Sequence, residues 1–133
     1  MISEEYILRV AAETIKNGGS ASRLNEKDFL PPRDMWSFPK YPARTMILPS
    51  TVDLALELRE FITRNEALLN EADCWLGTWI NPRSGEYYLD IATGISGLNE
   101  AREAAKRISI EFERKIVAIF NSKRNETVYL WDE

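Results

Sequence analysis

Five of the six prolines fall between positions 31 and 49 (Pro31, Pro32, Pro39, Pro42 and Pro49), and this clustering sets the layout of the chain. Each proline fixes φ and lacks an N–H, so no long helix or central strand can run through residues 20–50. The same stretch carries Phe29, Leu30, Met35, Trp36, Phe38, Tyr41, Met46, Ile47 and Leu48. That is too much apolar surface for a solvated tether. Residues 20–50 are therefore expected to be a Pro-rich aromatic connecting segment that packs against regular structure on either side.

On the N-terminal side, Tyr6, Ile7, Val10, Ala11 and Ile15 recur at helical spacing, with Ser3 placed to cap and Gly18-Gly19 placed to stop a helix over residues 4–17. On the other side, Ser50-Thr51-Val52-Asp53 matches a capping box ahead of Leu54, Ala55, Leu58, Phe61 and Ile62, which predicts a second helix over residues 51–70. Trp75–Ile80 and Glu86–Ile91 are rich in aromatic and β-branched residues around the turn Asn81-Pro82-Arg83-Ser84-Gly85, so they read as a hairpin. Alternation gives both faces of its first strand apolar groups, Leu76, Thr78 and Ile80 on one and Trp75, Gly77 and Trp79 on the other. Thr93-Gly94-Ile95-Ser96-Gly97 breaks the pattern, Asn99 can cap a third helix with an alanine-rich stripe (Ala101, Ala104, Ala105), and residues 116–120 and 127–131 form a second hairpin.

The expected whole is α+β: a four-stranded antiparallel sheet made of two hairpins (ββαββ, residues 74–133), two N-terminal helices and the Pro-rich aromatic segment between them, all in one domain over residues 1–133. The hydrophobic fraction of 44% and charged fraction of 29% suit a chain that folds on its own core. The single cysteine, Cys74, forms no internal disulfide and sits among apolar neighbours, which points to a reducing compartment and a buried, inert thiol. No run of apolar residues approaches membrane-spanning length and no basic-then-apolar leader opens the chain, so a cytoplasmic location without membrane contact is expected.

The absence of histidine removes the commonest general base and metal ligand, and with one cysteine no metal site or cofactor is expected. No phosphate-cradling glycine loop is present. Carboxylates and tyrosines remain, and Glu86, Tyr88 and Asp90 share one face of a strand, where two acids could divide acid and base roles if burial raised one pKa. Arg102, Lys106, Arg107, Arg114, Lys115, Lys123 and Arg124 make the C-terminal third basic, but interleaved glutamates and a net charge of -4 argue against nucleic acid. Met35, Trp36, Phe38 and Tyr41 in the Pro-rich segment, with Trp79 on the hairpin, are of the types that interfaces favour, and prolines lower the entropy lost when an extended strip is ordered.

Leu76-Gly77-Thr78-Trp79-Ile80-Asn81-Pro82-Arg83-Ser84-Gly85-Glu86-Tyr87-Tyr88-Leu89-Asp90-Ile91, followed by an alanine-bearing helix and Val117-Ala118-Ile119-Phe120-Asn121, resembles a small ββαββ domain recurring in phage, plasmid and other mobile-element proteins. The resemblance spans about residues 74–121 and implies an accessory or binding module that modulates a partner protein. The first expectation is thus a non-catalytic protein-binding module or homo-oligomer using Met35, Trp36, Phe38, Tyr41 and Trp79. The alternative is a small carboxylate-dependent hydrolase using Glu86, Tyr88 and Asp90.

Overall fold

In the computed structural model, which describes residues 2–131, the first helix forms where the periodicity places it. α1 (Glu4–Asn17) begins at Ser3, whose Oγ accepts from the Tyr6 N–H, and ends at Gly18 in the left-handed conformation (φ 81°) that glycine adopts without a Cβ clash. After it come β1 (Gly19–Arg23), β2 (Asp28–Phe29), β3 (Trp36–Pro39), a 3-10 turn (Pro42–Arg44) and β4 (Met46–Leu48). α2 (Leu54–Leu69) is followed by β5 (Trp75–Ile80), β6 (Tyr87–Ile95), α3 (Leu98–Glu111), β7 (Ala118–Asn121) and β8 (Glu126–Tyr129).

Two helix starts differ from expectation. The N-cap of α2 is Asp53, which accepts from the Leu56 N–H; the Val52 N–H closes a turn onto the Pro49 carbonyl and holds residues 50–52 out of the helix. α3 starts at Gly97 rather than Asn99, with Glu100 folded back over Gly97, where a Cβ would collide with its carboxylate.

The four-stranded sheet is overturned. Among the described residues one antiparallel sheet of eight strands runs β2-β1-β5-β6-β3-β7-β8, with β4 also on β6, and three helices pack beside it. Four of these strands come from the Pro-rich segment. Proline limits the length of a strand and not its existence. Pro39 ends β3, Pro42 opens the 3-10 turn, Pro49 follows β4, and Pro31 and Pro32 lie between β2 and β3. The pieces left between them are two to five residues long, and the nine-residue β6 gives them a template. One edge of β6 pairs with β5 along its first six residues, from Ile80↔Tyr87 to Trp75↔Ala92. Its other edge takes β4 (Met46↔Leu89) and then β3 (Pro39↔Ala92 to Trp36↔Ile95). Thr93-Gly94-Ile95 therefore continues the strand instead of breaking it.

The sheet curls into a half-barrel, so that Tyr129 on β8 lies 6.4 Å, ring to ring, from Trp79 on β5, four strands away in the order. All three helices cover the convex face. Leu76, Leu89 and Ile91 pack with α1 and α2 around the fully buried Phe61 and Leu58. Trp36, Phe38 and Ile119 pack under α3, whose Ala101 and Ala105 let it approach the strands closely. Where α1 crosses β1 and β5, buried hydroxyls pair off: Thr14 Oγ1 with Thr78 Oγ1 and Tyr6 Oη with Ser22 Oγ, both at 2.6 Å. No helix among the described residues is long and apolar enough to cross a membrane.

Candidate binding groove on the concave sheet face

Strand alternation sends every second side chain to the face that no helix covers. On β5 these are Trp75, Gly77 and Trp79; opposite them on β6 stand Ala92, Asp90 and Tyr88. β3 adds Ser37 and Pro39, and β7 adds Ala118 and Phe120. Small residues at Gly77, Ala92, Gly94 and Ala118 keep the floor low between large side chains. A Cβ on Gly77 would stand 3.0 Å from that of Ala92, and one on Gly94 would strike Met35 Sδ at 2.8 Å and the Trp75 ring at 3.2 Å. The result is a groove of about 650 Å³ bordered by Trp75, Trp79, Met35 and Phe120, which is the size of a ligand-binding cleft.

One end of the groove is an aromatic cluster. Trp79 meets Tyr88 edge-on at 5.1 Å, Tyr129 closes over them from β8, and the Arg83 guanidinium stacks 3.4 Å above the Tyr129 ring. Buried Asn81 ties this end together: its Oδ1 accepts from Tyr129 Oη at 3.2 Å and from the Arg83 N–H at 2.9 Å, while its Nδ2 donates to Tyr88 Oη at 3.4 Å. The rim is the segment before β3, where Pro31, Pro32 and Arg33 lie along the groove. Asp34 fixes that rim to the β7–β8 turn. It takes Arg124 on both carboxylate oxygens (2.9 and 3.2 Å) and Asn121 Nδ2 at 2.9 Å, and these hydrogen bonds lower its pKa to about 2.

Asp90 lies on the floor. Its Oδ1 accepts from Thr45 Oγ1 at 2.7 Å. Asp90 is partly buried, with the groove and an adjoining 40 Å³ cleft both opening on it. Burial pushes its pKa up to about 6, against the hydrogen bond from Thr45 and the field of Arg114, which both favour the charged form.

The structure divides the residues expected to act together. Met35 and Trp79 border the groove, whereas the rings of Trp36 and Phe38 are buried on the convex side under α3. Tyr41 donates to Glu71 Oε1 at 2.7 Å and packs against the α1–α2 core. Tyr88 and Asp90 share the groove face, but Glu86 stands beside the hairpin turn and does not line it. Four strand positions separate Glu86 from Asp90 by about 13 Å along the backbone, with Tyr88 between them. Trp75, Phe120 and Thr45 join the site without having been singled out. The small residues at 77, 92 and 94, in phase with Trp75 and Trp79, were the available signal for a hollow on that face.

Glu71, Asp73 and Cys74 place three metal-ligating atoms within 4.8 Å of one another. A cation already serves them, because Lys40 Nζ sits 3.1 Å from Glu71 Oε1 and from both Asp73 oxygens. Burial and then the Asp73 charge push the Cys74 thiol up to about 12, far from the thiolate that a metal takes. Desolvation pulls Lys40 toward neutrality, but the hydrogen bonds to Asp73 and Glu71 outweigh it and raise its pKa, while Tyr41 and Lys40 lower that of Glu71. Lys40→Met should therefore lower the melting temperature by a few degrees at pH 7. The two depressed carboxylates contribute above their unfolded pKa values, so the gap between variant and wild type should narrow as the pH falls through the carboxylate range. Thermal melts at pH 7 and pH 3 check this; an equal gap at both would mean that Lys40 acts by packing alone.

Arg124 is paired with Asp34, Arg114 Nη1 lies 3.4 Å from the Ala43 carbonyl, and Lys106 and Lys115 flank the Trp131 ring at 5.5 and 5.0 Å. Compared with known proteins, the chain matches no family model, no curated protein and no solved structure.

Proposed function

We propose that this protein is a non-catalytic binding module that seats an extended segment of a partner protein in its concave groove. The observation that carries the reading is the bare face of the sheet. One side is covered by three helices, while the other keeps the part-exposed Met35, Trp79 and Phe120, beside the buried Trp75, around an open hollow of about 650 Å³. Large apolar side chains held on an uncovered, concave face are the mark of an interaction surface. The curl suits an extended strip, since it presents aromatic rings on facing strands. The resemblance of residues 74–121 to mobile-element ββαββ domains agrees with an accessory role of this kind, and a lone buried thiol agrees with a cytoplasmic one.

The hydrolase reading has one feature in its favour, the Asp90 carboxylate on the groove floor, whose pKa burial pushes up to about 6. Its expected partner acid is missing, because Glu86 stands beside the hairpin turn and does not line the groove. Binding is the better-supported use of the face.

A photo-crosslinking residue at Phe120 tests the docking reading against the same residue at Ile110, which is 73% exposed on the outer side of α3. In the native cell extract the Phe120 position should give a discrete protein adduct that Ile110 does not. Matching adduct patterns at both positions, or none at Phe120, would sink the docking reading.

A further inference from the structure

From the setting of Asp90 we infer that the partner segment presents a lysine or arginine whose cationic head reaches the Asp90 carboxylate, with its apolar stem against Trp79 and Tyr88. This rests on the docking reading and specifies its chemistry. An ionised carboxylate can accept about four hydrogen bonds. Among the described residues Asp90 receives one, from Thr45, and forms no ion pair. The rest of its acceptor capacity opens on the groove floor. A carboxylate held at the bottom of an aromatic hollow is more strongly stabilised by a cation with hydrogen bonds to give than by water alone.

The flanking rings favour the same ligand. Trp79 and Tyr88 line the same small cleft as Asp90, and a lysine or arginine can lay its methylenes on aromatic side chains while its head seeks the acid. The chain's own cations leave that position open. Arg114 and Lys115 line the adjoining cleft, but the first is turned to the Ala43 carbonyl and the second lies over Trp131. Arg33 and Glu13 stand at the rim, on the groove's outer margin. A net charge of -4 adds long-range attraction for a basic segment.

The test selects binders for the intact chain from a displayed library of random linear decapeptides, then measures synthetic hits against wild type, Asp90→Asn and Trp79→Ala at pH 7.5, each variant first shown to be folded by circular dichroism. The hits should share one basic position. Asp90→Asn should weaken them by about tenfold to a hundredfold, as loss of a buried charge partner does. Replacing the basic residue of the peptide by norleucine should weaken wild-type binding as much, and should add little when Asp90 is already asparagine. Hits that need Trp79, share no basic position and ignore Asp90→Asn would overturn the inference and leave the groove reading standing. A library that yields no Trp79-dependent binder would overturn both.

Discussion

An Asp90→Asn chain should melt well above wild type at pH 7.5 and nearly level with it at pH 4. The reason is the direction in which folding shifts this one acid. In the unfolded chain Asp90 ionises near 3.8, and in the folded chain near 6, because burial penalises the charge. Well below pH 3.8 both states carry the proton and the group is neutral to stability, and at pH 4 the difference is only about 0.5 kcal/mol. As the pH rises from 4 to 6 the unfolded state releases its proton first, so stability falls, and above 6 the full penalty is in place. A shift of two pK units corresponds to about 3 kcal/mol. The groove lets solvent reach one side of the carboxylate, so about 2 kcal/mol is the reasonable expectation, or roughly 5–10 °C for a domain of this size. Asparagine keeps the Oδ1 that Thr45 donates to and removes only the charge. The measurement is a set of melts for both chains from pH 4 to pH 8. A constant difference across that range would show that Asp90 titrates like an ordinary surface acid.

A stability penalty of that size at neutral pH fits an acid kept for a ligand. Residues that lower stability persist where binding uses them. The same protonation that relieves the fold at pH 5 would also neutralise the acid toward a basic partner, so stability and the inferred affinity should move in opposite directions across pH 6.

Much of the local structure was legible in the sequence, and its assembly was not. α1 was readable from a periodic stripe between a serine cap and a glycine stop, and the first hairpin from Asn81, Pro82 and Gly85, because the interactions concerned lie within a few residues of one another. Gly85 takes the positive φ (77°) of the turn, and its N–H closes on the Asn81 carbonyl at 2.7 Å. The strands of the Pro-rich segment have no such local signature. Met46–Leu48 is a strand because Tyr87–Leu89 offers it an edge, and Trp36–Pro39 because Ala92–Ile95 does. Those pairings join residues 39 to 59 positions apart, and nothing in residues 36–48 alone specifies them. The site shows the same division. That Glu86, Tyr88 and Asp90 share a face follows from alternation, but which face is left bare depends on where three helices dock. Trp36 and Phe38 looked equivalent to Met35 as interface residues. One step of strand parity buries them under α3 and leaves Met35 on the open side.

The two largest aromatic truncations should separate core from groove. Phe61→Ala removes a ring that is 0% exposed between α2 and the sheet. Replacing such a ring by alanine costs about 3–5 kcal/mol, transfer and cavity together, a large share of the 5–15 kcal/mol that holds a domain of this kind. Trp79→Ala removes more atoms, but Trp79 stands on the open face, where its ring partners are Tyr88 and Tyr129 and solvent already reaches it. No closed cavity forms there, and the loss should be limited to the ring contacts, about 1–2 kcal/mol. Urea denaturation of the two variants against wild type measures both. A Trp79→Ala loss as large as that of Phe61→Ala would make the concave face a second core and remove the ground for a docking groove. A small loss would leave the placement of Trp79 and Phe120 on a part-exposed face without a reason in folding, because water is the alternative neighbour there and the apolar rings gain little from it. Their energetic return would then come when another chain displaces that water, which is what a groove lined this way is shaped to allow.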